Sequence, residues 1–185
     1  MSWLHDFMPL STWALQNEDL RHRYIYARSA AALPKTPGLG RALEVTAVLA
    51  IYQAALGKGY QPSSSIDYER AYPHSQGNPK RADLAFKDSG RGKNWAYVEV
   101  KQYGQFGKSQ VAADIQKLLT IQNRAQRWIF VYRIRRTDRR MQNLQELLEL
   151  NFGNQILVHE QHSFPSVPVG RRKEGLCDLC LARVQ

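Results

Sequence analysis

The feature that most constrains this chain is the segment RADLAFKDSGRGKNWAYVEVKQ, residues 81–102. Two runs with strand character flank a glycine-containing turn, which is the pattern of a β-hairpin. Side chains alternate along a strand, so Trp95, Tyr97, Glu99 and Lys101 share one face while Ala96, Val98 and Val100 take the other. The same alternation groups Arg81, Asp83, Ala85 and Lys87 opposite Ala82, Leu84 and Phe86. Closing the hairpin brings Asp83 close to Glu99. Two neighbouring carboxylates repel unless a cation lies between them, and oxygen donors suit a hard divalent ion such as magnesium. Lys101 cannot bind that ion, but beside it an ammonium can stabilise developing negative charge or orient a water.

The flanking sequence reads as α/β without an internal repeat. Residues 11–32 have helical spacing and end at LPKTPGLG, whose prolines and glycines break the helix. RALEVTAVLAIYQAAL, residues 41–56, is apolar on nearly every face, as expected of a helix packed on a sheet, and Glu44 is its only acid. SSSIDYERAY alternates loosely and RWIFVYRIR has the near-continuous apolar character of a central strand. Between them, SQVAADIQKLLTIQ opens with Ser109 as a candidate cap and places Val111, Ile115, Leu118 and Leu119 on one helical face. Residues 138–151 return to helical spacing, and QILVH reads as a short final strand. The expected organisation is a helical N-terminal extension over residues 1–40, an α/β core over 41–160 and a loop-rich C-terminal tail over 161–185.

Size and charge bound the function. The chain has 185 residues, enough for one domain with a substantial core. It carries 26 Lys and Arg against 16 Asp and Glu, a net +10, which favours a polyanionic partner. No run approaches the roughly 18–20 apolar residues of a membrane span. The opening MSWLHDFMPLSTW lacks the layout of a signal peptide. These features predict a cytoplasmic protein that does not enter the membrane.

Asp83, fifteen intervening residues, and then Glu99-Val100-Lys101 resemble the PD-(D/E)XK nuclease superfamily. The element order from residue 41 to about 135 is similar to its restriction-endonuclease-like fold, a mixed central sheet flanked by helices. The resemblance implies magnesium-dependent phosphodiester hydrolysis, with manganese as a substitute, and DNA rather than RNA as the nucleic acid. Asp83 and Glu99 would hold the metal, and Lys101 would assist the attacking water. Glu44 fits an acidic position on the helix before the sheet as an additional ligand, or else is a first-turn acid favoured by the helix dipole. Ala82 stands where the name-giving proline would be, a change that removes no chemical group. Gln110, Asp114 and Lys117 match a polar stripe beside the site, although Asp114 and Lys117 also have the spacing of a surface ion pair. The alternative to an endonuclease is a non-catalytic nucleic-acid-binding module on the same scaffold.

The basic residues give further candidates for phosphate contact. Arg133, Arg135, Arg136, Arg139 and Arg140 cluster where a strand passes into a helix, and Arg171, Arg172 and Lys173 form a second run. Lys117 is a further candidate. Tyr68, Tyr72, Tyr97 and Tyr103 can stack on bases or belong to the core. His159, His162, Cys177 and Cys180 form an HxxH and a CxxC pair, four side chains of the types that suit structural zinc, whether in one chain or in a site shared with another chain, and otherwise unrelated histidines and free thiols. A homodimer or a targeting partner is compatible with a site that cuts one strand.

Overall fold

The computed structural model describes residues 3–28, 44–73, 80–87, 94–104, 107–121, 125–136, 142–166 and 175–185. Four helices, α1 (Trp3–Arg28), α2 (Glu44–Gly57), α3 (Gly107–Leu119) and α4 (Leu144–Phe152), occur among these residues. They accompany six strands, β1 (Ile66–Ala71), β2 (Arg81–Lys87), β3 (Trp95–Gln102), β4 (Gln126–Arg136), β5 (Ile156–Ser166) and β6 (Gly175–Val184). The strands form one mixed sheet in the order β1-β2-β3-β4-β6-β5. Only β3 and β4 run parallel, and the α3 crossover joins them; every other pairing is antiparallel.

Strand periodicity divides the interior into two cores. Ala96, Val98 and Val100 of β3, with Trp128, Phe130 and Tyr132 of β4, face α1 and α2. Tyr97, Ile129 and Val131 face α3 and α4 on the other side. Residues Trp128 to Tyr132 are all buried, which is why β4 reads as an unbroken apolar run. Helix α4 starts at a capping box in which the Asn143 side chain accepts from the Glu146 N–H and the Glu146 side chain accepts from the Asn143 N–H. None of the described helices is long and apolar enough to cross a membrane.

Two expectations at the chain ends are corrected. The N-terminal helix is not an appendage: it starts at Trp3 and packs Trp3, Phe7, Met8 and Leu15 into the first core. Trp3 stacks on Phe86 with ring centroids 5.3 Å apart, and Phe7 meets Phe130 edge-on at 5.4 Å. The C-terminal segment is not loop-rich in its described part, because β5 extends to Ser166 and β6 lies between β4 and β5. Apolar residues occupy both faces of β6, and its one buried acid, Asp178, accepts from Arg135 Nε at 2.6 Å. A strand buried on both sides accommodates that carboxylate only because the guanidinium of the neighbouring strand pairs with it.

Candidate metal and phosphate site

The antiparallel register pairs Ala85 with Tyr97 and ends at Leu84 and Val98, next to Asp83 and Glu99, whose carboxylates act on each other. The hairpin therefore does what its alternation predicts. Asp83 Oδ2 accepts the Val100 N–H at 2.7 Å, which fixes the carboxylate against the adjacent strand. Glu99 is 2% exposed. Its Oε1 lies 2.8 Å from Lys117 Nζ and also accepts the Tyr72 hydroxyl. Lys117 comes from the last turn of α3, and Tyr72 follows the end of β1.

Lys101 occupies the C-terminal end of β3, where the two helical layers meet. Its Nζ donates to Glu44 Oε1 at 2.6 Å, and Glu44 Oε2 accepts the Gln102 N–H at 3.2 Å. Glu44 is the first residue of α2, where a carboxylate is favoured by the exposed N–H groups of the first turn. From the opposite layer, Asp114 of α3 brings Oδ2 to 3.1 Å from Lys101 Nζ. Among the described residues, that buried oxygen has no aligned hydrogen-bond donor. A single ammonium thus ties the start of α2 to the middle of α3 across the end of the sheet.

Among the described residues, the cluster holds more carboxylates than ammonium groups, and burial raises three of those carboxyls. Burial, followed by the charge of Asp83, pushes the Glu99 carboxyl up to about 8, against the downward pull of Lys117 and Tyr72. Burial also raises Asp83, opposed by the Val100 N–H and Lys117, and raises Asp114, opposed by Lys101. Burial works against the charged form of Lys101, but the Glu44 hydrogen bond and Asp114 outweigh it and the net direction is upward. Burial and Glu99 raise the Tyr72 phenol, so it remains a hydrogen-bond donor. Among the described residues, Glu44, Asp83, Glu99 and Asp114 face two ammonium groups, Lys101 and Lys117; with all six ionised these groups sum to −2. One divalent cation would balance that charge.

The donor chemistry fits magnesium or manganese at Asp83 and Glu99, two anionic oxygen donors that repel each other. Glu44 is within electrostatic reach of Asp83, but both of its oxygens are engaged with residues 101 and 102. Among the described residues, no three Asp, Glu, His or Cys side chains form a ready-made metal cage. In this arrangement Glu44 positions Lys101.

Asp83, Glu99, Lys101, Glu44 and Lys117 are thus gathered in one place. Asp114 and Lys117 do not pair with each other as a surface couple; each reaches a different β3 residue. Their placement has a sequence signal, since Gln110, Asp114 and Lys117 lie along one helix face. The Tyr72 clamp on Glu99 has none, because nothing local links residues 72 and 99.

The basic cluster separates. Arg133 lies on the Glu99 and Lys101 face, with its guanidinium 5.9 Å from the Tyr103 ring and Nη1 3.5 Å from the Gln142 carbonyl. Burial lowers its pKa. Arg135 is instead committed to Asp178, which corrects its expected role as a free phosphate contact. Arg136 ends β4, while residues 139, 140 and 171–173 lie outside the described residues. Tyr72 and Tyr97 are buried edge-to-face at 5.6 Å and belong to the core, whereas Tyr103 is half-buried beside Arg133. Tyr68 packs near Tyr52 at 6.1 Å.

The proposed zinc ligands do not converge. Cys177 and Cys180 are three apart on β6 and enter opposite cores. Burial raises both thiols, Cys180 to about 12, which favours their protonated form. His159 stacks edge-on against Trp128, and His162 contacts Thr12 and Glu160. Compared with protein-family models, curated proteins and solved structures, the chain gives no match.

Proposed function

We propose that the chain is a magnesium-dependent nuclease that hydrolyses phosphodiester bonds, with DNA as the preferred nucleic acid. The observation that carries the reading is the cluster of Glu44, Asp83, Glu99 and Asp114 around Lys101 and Lys117, whose acids, when ionised, exceed these lysines by the charge of one divalent ion among the described residues. The α2-β1-β2-β3-α3-β4 order, with an antiparallel three-stranded unit and a parallel fourth strand, supports a restriction-endonuclease-like core.

Asp83 and Glu99 would hold the metal; when bound, it supplies an activated water and neutralises charge at the phosphate. Lys101, held by Glu44 and Asp114, presents a fixed ammonium toward the negative charge that develops on the phosphate. Arg133 lies farther along the same sheet face, where it can meet the nucleic-acid backbone. One observation favours the second reading, a non-catalytic binding module: Lys117 and Tyr72 already engage Glu99 Oε1.

A cleavage assay on single-stranded, duplex and branched DNA and on RNA, with magnesium, manganese or chelator, separates the two. Wild type should cut only with metal, Asp83→Asn and Glu99→Gln should not cut, and Lys101→Met should lose about 10²-fold in turnover. Nucleic-acid binding without cleavage under every metal condition would establish the binding module instead.

A further inference from the structure

The two lysines of the cluster are held differently. Lys101 lies between two carboxylates from opposite layers, and its side chain is 16% exposed. Among the described residues Lys117 makes one close ion pair, with Glu99, while Asp83 and Asp114 act on it only at longer range; its side chain is 28% exposed against 3% for that glutamate. Its Nζ also lies 5.6 Å from the Tyr72 ring centroid, on a flexible stem in the last turn of α3. Lys117 is therefore the more releasable ammonium, and it sits on an oxygen assigned to the metal.

A magnesium ion binds a carboxylate oxygen at about 2.0–2.1 Å. Lys117 Nζ is 2.8 Å from that same Glu99 atom, so the two cations would lie side by side on one oxygen. Their repulsion in a buried setting favours exchange over coexistence. An ammonium that leaves Glu99 remains tethered to α3 at the edge of the cluster, within electrostatic reach of Asp83 and Asp114 and open to an incoming phosphate.

We propose that Lys117 is an exchangeable counterion: a divalent cation displaces it from Glu99, and the freed ammonium becomes a contact for the phosphate being cut. Lys101 does not move in this exchange. The inference rests on the metal-dependent reading of the site and adds to it a role for a lysine outside the strand motif.

The test uses the full chain, an amine-acylating reagent and mass spectrometry, with and without magnesium; magnesium binding is read separately by calorimetry. Acylation of Lys117 should accelerate by up to about fivefold at saturating magnesium, the factor expected on losing one partly exposed charge pair, while Lys101 changes less than about twofold. Asp83→Asn should abolish the magnesium response and retain slow Lys117 acylation. Binding of magnesium to wild type with no change at Lys117 overturns the exchange and leaves the nuclease reading standing. Absence of magnesium binding to wild type overturns both.

Discussion

Glu99→Gln should make the protein more stable at pH 8 and flatten its pH dependence. The Glu99 carboxyl has an ordinary value of 4.5 and is raised to about 8 in the fold, first by burial and then by Asp83. Between those values the native state binds more protons than the unfolded chain, so the slope of unfolding free energy with pH is negative. Stability is greatest below pH 4.5 as far as this group is concerned, and is lost as the pH rises toward 8. At about 1.4 kcal/mol per pKa unit, the loss is on the order of a few kcal/mol. Raised Asp83 and Asp114 add to the same trend. Lys101, shifted up from 10.5, loses its contribution only above this window. Urea unfolding at intervals from pH 5 to 8.5, without metal, measures the slope. Saturating magnesium should restore stability at the upper end, by about 2.7 kcal/mol at a concentration a hundredfold above the dissociation constant. A wild-type profile that is flat or rises with pH, or a Glu99→Gln profile parallel to wild type, would refute the charge deficit assigned to this cluster.

Arg135→Ala should cost about 3–5 kcal/mol in urea unfolding by stranding buried Asp178, and Asp178→Asn in the same chain should recover much of it; a cost below about 1 kcal/mol would remove the buried pair from the account of β6. Arg133→Ala should weaken nucleic-acid binding across sequences and make the salt dependence shallower by about one unit of slope, whereas an unchanged slope places Arg133 away from phosphate. Freshly purified reduced protein should contain no stoichiometric zinc, and a chelator should leave its melting temperature unchanged. One equivalent of zinc lost in Cys177→Ser would contradict the placement of the cysteines in opposite cores.

The hairpin is legible because both of its determinants are local: a period of two in each strand and a glycine-containing turn between them. Once Asp83 faces Glu99, the repulsion follows from chemistry alone. The start of α1 is less legible: helical spacing is read only from residue 11, whereas the helix begins at Trp3, carries Pro9 inside it, and is anchored by Trp3 and Phe7 in an aromatic cluster. The position of β6 is set by non-local pairing with β4 and β5, and its CxxC spacing invites a metal reading that ignores strand alternation. Asp114 and Lys117 illustrate the same limit at the site. Their spacing places them near each other on a helix, but only the packing of α3 on β3 decides that each has a stronger partner across the gap.

The charge of the whole chain and the charge of its site have opposite signs, and that opposition bears on mechanism. A net charge of +10 draws a polyanion toward the surface, while the carboxylates around β3 repel a phosphate at short range. A purely binding surface gains nothing from burying Glu99 beside Asp83, because each carboxylate weakens the phosphate contact and costs folding stability. The same burial is useful where a divalent ion is to be held, since it lets the ion restore stability and reverse the local field in one event. Lys101 then needs its two carboxylate partners: without Glu44 and Asp114 an ammonium at the end of β3 would compete with the metal for Glu99 and Asp83, and with them it is held to one side. Lys117 makes only one close ion pair among the described residues and is the more exposed of the two, which is why the two lysines, both on acids of one cluster, are assigned different roles.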